Sequence, residues 1–259
     1  NSGANITSSG GQVTLAGDAD TTIPARPTLK WRRLLRKAVS RGRLRLVFYP
    51  VVAGEGGALL HQEAVVRLQG DEGDRLLTAG EFMPMAVHLN VAPKIDLQVA
   101  RLGLEHLRTM AGDLAINLSA EAIADFGFRH EFQRLLEEEP QLAERLMVEV
   151  PEAGVFRHYD AFRDLIHALK PLGCRVGIEH FGHRFAEGHK LVDLALDYVK
   201  VHPSYVQGVA GDPDQVPELG PALLRAVHAH LARSHARLAL VRVGDRQDRC
   251  LSVQCRCPI

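Results

Sequence analysis

The sequence lacks the features that would assign it to several common protein classes. It has no run of about 18 apolar residues, and its start, NSGANITSSGGQ, has neither the basic nor the apolar part of a signal peptide. Only 4 of the 259 residues are cysteine, too few for a disulfide framework. Lys and Arg (31) balance Asp and Glu (31), so no bulk positive field predicts binding to a nucleic acid polymer. We expect a cytoplasmic chain that meets a membrane only through segments outside it.

The composition is that of an ordinary globular protein, with 46% hydrophobic and 24% charged residues. A length of 259 residues suits a single α/β barrel, which commonly takes roughly 250 residues. Residues 1–28 are rich in Ser, Gly, Thr and Asp, which is typical of a linker or the tail of a preceding domain. We therefore assign residues 29–259 to one barrel domain.

Strand-like and helix-like segments alternate along this domain. LRLVFYPVV and LHQEAVVRL flank a glycine-rich turn and predict a hairpin. The apolar runs LAIN, LMVE, RVGIE, LDYVK and LALVRV then alternate with helical patterns, including a single long helix over EAIADFGFRHEFQRLLEEE and another from about Pro221 to Arg233. This alternation predicts a parallel (β/α) barrel rather than a doubly wound open sheet, and no glycine-rich phosphate loop follows any strand.

Polar side chains interrupt or end five of the predicted strands. They are Glu63, Asn117, Glu149, Glu179 and Lys200. A parallel barrel gathers the carboxyl ends of its strands on one face, so we expect these side chains to meet there. Their oxygen donors suit Mg²⁺ or Mn²⁺ better than a metal that prefers thiolates. The alternative is that the carboxylates and the lysine simply neutralise one another as buried ion pairs.

Seven short motifs carry a resemblance to a known family. FYPVV, QEAVVRL, AGEFMPMA, AINLS, VEVPE, IEHFG and YVKV occur in the order and approximate spacing found in EAL domains, over about residues 31–243. Active EAL domains are barrels that hydrolyse cyclic di-GMP. The resemblance implies a TIM-like (β/α) barrel of the EAL type and a site for this cyclic dinucleotide.

The same resemblance implies roles for individual residues. It assigns Glu63, Asn117, Glu149 and Glu179 to a first metal site, Lys200 to the neighbourhood of the attacking water, and Glu152 to the support of a loop. The nucleotide-binding residues that it implies are Arg67, Val65, Phe82, Phe181 and Asn117. Arg67 would pair with a ligand phosphate, and the two phenylalanines would offer an apolar or stacking surface.

The departures from the family pattern concern catalysis. Active relatives hold a second cation with acids at the positions of His180 and His202, and they carry a catalytic glutamate near Val241. A two-metal mechanism needs both cations, so we predict a pseudo-enzyme whose remnants include Glu63 and Lys200. Tyr49 replaces a glutamine that contacts guanine. Neutral imidazoles can also bind Zn²⁺, so an altered metal site is the alternative reading of the two histidines.

The stretch FGHRFAEGHKLVDLALDYVKV resembles receptor-type EAL domains of the LapD kind. That resemblance implies a cyclic di-GMP receptor that forms a homodimer through the EAL domain and acts as the cytoplasmic sensor of an inner-membrane regulator of adhesion. No cofactor would be required for binding, although Mg²⁺ or Mn²⁺ could occupy the vestigial site. The alternatives are a metal-dependent cyclic di-GMP phosphodiesterase and a ligand-free interaction domain.

The C-terminal sequence does not fit the family pattern. DRQDRCLSVQCRCPI resembles neither the last helix nor the closing strand of EAL domains, which predicts a truncated or altered end and an open barrel edge. The spacing of Cys250, Cys255 and Cys257 does not indicate a zinc site. Histidines without ligand spacing are interpreted as surface residues: His183, His189, His228, His230 and His235.

Overall fold

The computed structural model describes the backbone of residues 8–9, 12–13, 23–24, 28–53, 57–71, 75–202, 237–243 and 250–255. Side chains are described within residues 28–52, 57–71, 75–184, 187–191 and 194–202. The predicted helix near Pro221, the cysteine at position 257 and the last three histidines of the surface set lie outside these ranges.

Twelve strands are present in the described backbone. They are β1 (Ser8–Ser9), β2 (Gln12–Val13), β3 (Ile23–Pro24), β4 (Leu44–Ala53), β5 (Leu59–Gln69), β6 (Leu76–Thr78), β7 (Leu114–Asn117), β8 (Leu146–Pro151), β9 (Arg175–Phe181), β10 (Tyr198–Val201), β11 (Arg237–Val243) and β12 (Cys250–Cys255). Strands β1 to β3 form a small antiparallel sheet within the predicted linker. The other strands belong to one sheet, and the domain boundary at residue 28 stays a prediction.

Eight strands of the large sheet close into a ring. Their order is β4-β12-β11-β10-β9-β8-β7-β5, and β4 pairs with β5 to complete the circle, while β6 extends from β5. Neighbours from β5 through β11 are parallel, and β4 forms the predicted antiparallel hairpin with β5. The barrel expected from the strand–helix alternation is therefore confirmed.

The closing strand differs from the expectation of an open edge. Strand β12 pairs antiparallel with β11 and parallel with β4, so that its backbone fills the gap between the last parallel strand and the first strand of the ring. The chain closes the barrel by reversing direction after β11. The sequence CLSVQC alternates apolar and polar residues, which suits a strand even though it does not resemble the family's closing strand.

Helices cover the outside of the ring. They are α1 (Thr28–Ser40), α2 (Ala79–His88), α3 (Ala92–Thr109), α4 (Ala120–Ala124), α5 (Phe126–Glu137), α6 (Pro140–Ala143), α7 (Glu152–Arg157) and α8 (Tyr159–Leu169), with 3₁₀ turns η1 (Lys170–Leu172) and η2 (Phe185–Asp193). None of the helices in the described part of the chain is long and apolar enough to cross a membrane.

One predicted helix is divided in two. The segment EAIADFGFRHEFQRLLEEE was expected to be continuous, but it forms α4 and α5 with a break at Asp125. The Asp125 carboxylate accepts a hydrogen bond from the backbone N–H of Phe128 at 2.7 Å, which caps the second helix. A short acidic side chain satisfies a free N–H better at a helix start than within a helix, so the break falls there.

The strands alternate between an apolar outer face and a polar inner face. On β8, Val148 faces outward into the main hydrophobic core, whereas its neighbours Met147 and Glu149 lie on the opposite face. Trp31 and the other buried residues of α1 also join this core, as the amphipathic pattern of that helix predicts. The core therefore lies between strands and helices, and the interior of the ring is left for polar groups.

Candidate functional site

The polar residues at the strand ends meet inside the ring. Carboxylate oxygens of Glu63, Glu149 and Glu179 all lie within 4.8 Å of one another, and we call these three residues the carboxylate centre. Strands β5, β8 and β9 supply them, and β7 and β10 bring Asn117 and Lys200 beside them. The sequence-based expectation that these five residues converge is met by the geometry.

Lys200 is the positive charge of this centre. Its Nζ donates to Glu149 Oε2 at 2.6 Å and to Glu63 Oε2 at 3.1 Å, with only 7% of the lysine side chain exposed. Glu149 is fully buried and also accepts a hydrogen bond from the Tyr198 hydroxyl at 2.9 Å. Buried charges persist when they are paired and hydrogen-bonded, and the ammonium group satisfies two carboxylates together.

Burial and neighbouring charge shift the pKa values of the centre. Burial, followed by the charge of Glu149, raises the pKa of Glu179 to about 8, which favours the protonated form of this carboxyl. Burial also raises the pKa of Glu149, although Lys200 acts in the opposite direction. Burial alone would lower the pKa of Lys200, but Glu149 and Glu63 outweigh it and raise the value. Lys200 therefore remains a cation.

A glycine makes room for the tyrosine of this network. An added Cβ at Gly177 on β9 would lie 2.4 Å from the ring of Tyr198, closer than side chains pack. The ring passes over this glycine and places its hydroxyl on Glu149. The inner face of β9 therefore carries no side chain at Gly177, and the Tyr198 ring of the neighbouring strand β10 occupies that space.

Asn117 lies between two of the carboxylates. Its Nδ2 is 3.4 Å from Glu63 Oε1, and exchanging the amide oxygen and nitrogen allows donation to both Glu179 oxygens at 3.0 and 3.2 Å. The second orientation makes the shorter hydrogen bonds. In this orientation the amide of Asn117 is a hydrogen-bond donor to Glu179.

Glu152 fixes the loop that follows β9. Its buried carboxylate accepts hydrogen bonds from the backbone N–H groups of Gly182, His183 and Arg184 at 3.0, 3.1 and 2.9 Å. The residue begins α7, directly after β8, and therefore reaches across to the neighbouring strand end. These contacts show the loop-supporting geometry that the sequence resemblance implied for Glu152.

Three histidines lie at the mouth beside the carboxylate centre. We call His180, His183 and His202 the histidine rim. The ring centroid of His202 is 5.4 Å from that of His180 and 5.2 Å from that of His183. His180 Nε2 is 3.7 Å from Glu179 Oε2, so the rim adjoins the centre. Burial and the proximity of His202 lower the pKa of His180, which favours its neutral form.

A cavity of about 500 Å³ opens next to the centre. Asn117 and Glu179 contribute polar groups to its lining, and Val65 of β5 also lines it. Met83 and Pro84 of α2 belong to its apolar wall. Such a volume and lining are typical of small-ligand sites. Val65 and Asn117 both line this cavity, and their nucleotide contacts stay a prediction.

The predicted phosphate-binding arginine lies further along β5. Arg67 is half-buried, and its guanidinium donates to the Tyr49 hydroxyl at 3.3 Å and to the Val66 carbonyl at 3.1 Å. Arg67 and Glu63 are four residues apart on one strand and therefore share the inner face. Its phosphate contact stays a prediction.

The two predicted stacking residues need correction. Phe82 is 0% and Phe181 is 1% exposed, and both rings belong to the main hydrophobic core. Phe82 packs from α2 toward the sheet, and Phe181 ends β9 beneath the loop held by Glu152. Neither ring offers the surface that a nucleobase would need, because packing between strands and helices has already covered both faces.

A comparison with protein families decides the assignment. The model of the family described as "EAL domain" matches residues 32–237. This chain belongs to the EAL domain family. The match covers every strand of the carboxylate centre and the segments that carry the histidine rim.

Relatives of this EAL domain include both regulators and enzymes. The RNase E specificity factor CsrD of Escherichia coli K12 is 29% identical over 73% of this chain and 30% of its own length. The cyclic di-GMP phosphodiesterase PdeF of the same strain is 23% identical over 83% of this chain and 28% of its own. The chain thus spans about a third of the curated relatives that it matches.

Solved structures share the fold of this EAL domain. A Vibrio cholerae LapD S helix-GGDEF-EAL structure bound to c-di-GMP has a TM-score of 0.74 and 17% identity, covering 88% of this chain and 57% of that one. The Xanthomonas citri FimX EAL domain in complex with c-diGMP has a TM-score of 0.71 and 20% identity, covering 88% and 91%. The TIM-like barrel is shown by these likenesses.

The donors of the carboxylate centre fit the cations expected of an EAL domain. Three carboxylates within 4.8 Å of one another, with an amide oxygen nearby, are hard ligands suited to Mg²⁺ or Mn²⁺. Lys200 already binds two of the three, so a cation there competes with the ammonium group. The residues present therefore fit the metal if the ammonium group of Lys200 moves away from Glu63 and Glu149.

Three features around this EAL site were not predicted from the sequence. Tyr198 was read only as part of a strand, although its hydroxyl contacts Glu149. His183 was interpreted as an isolated surface residue. Asp96 on α3 accepts hydrogen bonds from the backbone N–H and hydroxyl of Ser119 at 2.9 and 2.5 Å, and its burial was not anticipated. Its position on the apolar face of a helix was the available signal for Asp96.

Proposed function

We propose that this EAL domain is a catalytically inactive receptor for cyclic di-GMP. The observation that carries the proposal is the ion pairing of Lys200 with Glu63 and Glu149, in which the ammonium group occupies carboxylate oxygens that a metal ion would need. The positions of the second-cation acids hold His180 and His202 instead. A site whose first set of carboxylates is already bound by Lys200, and whose second set of acids is replaced by histidines, is suited to holding a ligand rather than cutting it.

The binding region combines the cavity with the polar centre. Val65 and Asn117 line the cavity beside the apolar wall of α2, which suits the flat face of a base. Lys200 and the more distant Arg67 supply positive charge for phosphates. Binding requires no cofactor in this proposal. Mg²⁺ or Mn²⁺, when held by Glu63, Asn117, Glu149 and Glu179, would polarise a phosphate oxygen.

The wider context is proposed from relatives. LapD and FimX structures in complex with c-di-GMP share this fold, which supports the ligand. A homodimer through the EAL domain, a place in the cytoplasm and an output to a membrane-linked regulator of adhesion belong to this proposal as well. Each concerns the whole protein, of which this chain can be a part.

Titration of labelled cyclic di-GMP tests the proposal. We expect saturable binding to the purified domain in EDTA, and Arg67→Ala should weaken it about 10- to 100-fold because a charge-assisted contact contributes roughly 1.5–3 kcal/mol. Arg101→Ala is the matched control, since Arg101 makes an exposed ion pair with Glu131 on the helical side. Equal affinities of the wild type and Arg67→Ala would refute the assigned phosphate contact.

A phosphodiesterase is the second candidate, favoured by the convergence of the carboxylate centre. Incubation with Mg²⁺ or Mn²⁺ followed by chromatography distinguishes it from a receptor. The receptor proposal expects intact cyclic dinucleotide. Formation of the linear dinucleotide that disappears in Glu63→Ala would overturn it, and absence of any binding would favour a ligand-free interaction domain.

A further inference from the structure

The histidine rim brings together side chains from two strand ends. His180 is in β9, His183 lies in the turn that follows, and His202 comes directly after β10. The separations between ring centroids are 5.4 Å for His180 and His202 and 5.2 Å for His183 and His202. Interplanar angles of 53° and 61° show that these rings are not stacked in parallel.

These separations match those of imidazoles around one tetrahedral cation. A Zn–N bond is about 2.0–2.1 Å, and a ring centroid lies about 1.1 Å beyond its nitrogen, so the metal-to-centroid distance is about 3.2 Å. Two such rings at the tetrahedral angle have centroids about 5.2 Å apart. His202 stands at this distance from both of its neighbours.

The backbone beneath the rim is held in place. The N–H of His202 donates to the Phe181 carbonyl at 2.9 Å, which fixes the residue after β10 to the end of β9. Glu152 holds the N–H of His183 at 3.1 Å. His180 has a φ of 55°, in the left-handed region that non-glycine residues rarely adopt, and such strain persists where surrounding contacts impose it.

The side chains on this fixed backbone can adjust. His183 and His180 are exposed and His202 is half-buried, so solvent reaches all three side chains. The three glutamates are the set with ligand atoms within 4.8 Å of one another among the described residues, so the imidazole nitrogens need this rotation to share a cation. Two of the ring separations already suit one cation, so the site requires side-chain rotation on a fixed backbone.

We propose that His180, His183 and His202 form a three-imidazole site for a borderline divalent cation such as Zn²⁺, Co²⁺ or Ni²⁺. Imidazole donors suit these metals, whereas carboxylate and carbonyl oxygens suit Mg²⁺ and Mn²⁺. The mouth of the barrel thus offers two donor sets of different preference, an oxygen set inside and a nitrogen set at the rim. This inference does not depend on cyclic di-GMP binding.

Cobalt and zinc titrations of protein made without a polyhistidine tag test the site. We expect one equivalent of Co²⁺ to give the visible d–d bands of a tetrahedral nitrogen site, and Zn²⁺ to displace it. His183→Ala and His202→Ala should each weaken binding at least about tenfold, or about 1.4 kcal/mol. His130→Ala, an exposed histidine on α5, is the matched control.

Two further arms keep the test decisive. Glu149→Gln should lower affinity for Mn²⁺ while leaving Co²⁺ binding at the rim unchanged, because it changes only the carboxylate centre. Circular dichroism verifies that His183→Ala is folded, as expected for an exposed residue. Unchanged Co²⁺ affinity in the His183→Ala and His202→Ala variants, or an ultraviolet charge-transfer band from thiolate to cobalt, would overturn the proposal and assign the metal elsewhere.

Discussion

Compared with the outer face of the barrel strands, the inner face has the opposite chemistry. Ile116, Val148 and Val199 point outward and are fully buried in the large core beneath the helices. Their inward-facing neighbours include Glu149 and Lys200, and the apolar cluster inside the ring is small. Stability is therefore supplied mainly outside the strands, where apolar area is buried. The inner face can change its chemistry, as at the histidine rim, without loss of the fold.

The largest expected effect comes from removing the central cation. Lys200→Met removes the ion-pair partner of the buried Glu149 and the half-buried Glu63 and should lower the free energy of unfolding by about 3–5 kcal/mol. Phe162→Ala in the outer core should cost a similar amount, about 3–5 kcal/mol, through a cavity. Urea denaturation measures both losses.

A second substitution separates these two causes. Adding Glu149→Gln to Lys200→Met removes a buried charge and should restore part of the stability, whereas adding it to Phe162→Ala should not. Lys190→Met is the control, since Lys190 makes an exposed pair with Glu187 and its loss should be within about 0.5 kcal/mol. If Lys200→Met were as mild as this control, the inner face would not depend on charge pairing.

An intermediate effect is expected at the loop after β9. Glu152→Gln keeps the shape but loses the charge that three backbone N–H groups share, which should cost about 1.5–3 kcal/mol. Hydrogen exchange of the amides of residues 182–184 should accelerate. Glu138→Gln, at an exposed position after α5, serves as the control, and unchanged exchange in Glu152→Gln would show that the loop is held by other contacts.

The smallest effect, counted per pH unit, is a pH dependence at Asp96, outside the ring. Burial raises the pKa of Asp96 to about 7, against the lowering by its hydrogen bonds from Ser119. A raised carboxyl pKa stabilises the fold below the unfolded value and loses that contribution as pH rises toward about 7. The free energy of unfolding should fall by up to about 1.4 kcal/mol per pH unit in this window.

Replacement of this carboxyl isolates its contribution. Asp96→Asn keeps an oxygen for Ser119 and should flatten the pH profile between about pH 5 and 7, measured by chemical denaturation. The exposed Asp160→Asn should leave the profile as it is in the wild type. Identical slopes for Asp96→Asn and the wild type would show that Asp96 is ionised throughout.

Much of this arrangement could be predicted from the sequence because strand ends in a parallel barrel meet. Glu63, Glu149 and Lys200 each break an apolar strand, and that interruption is visible in the chain itself. The contact of Tyr198 with Glu149 depends on space above Gly177, which no periodicity reports. To predict which side chains on neighbouring strands contact each other, the register of the strand pairing must be known.

Other features depended on backbone geometry that the sequence does not display. The position of His183 follows from the loop conformation imposed by Glu152, and its spacing from His202 is not a sequence spacing. Phe82 was expected to offer a stacking surface because the family motif does not show how this ring packs in the fold. Burial of an aromatic ring depends on which helix face meets the sheet, and α2 turns this ring inward.

The closure of the ring has a consequence for the order of protein synthesis. Strand β4 has one neighbour, β5, close in the chain, but its other neighbour, β12, is roughly two hundred residues later, since Val51 pairs with Cys250. While the chain emerges from the ribosome, β4 must keep an unpaired edge until nearly the whole domain has been translated. That edge is a place for chaperone binding or association with another nascent chain, and the synthesis of β12 ends the exposure.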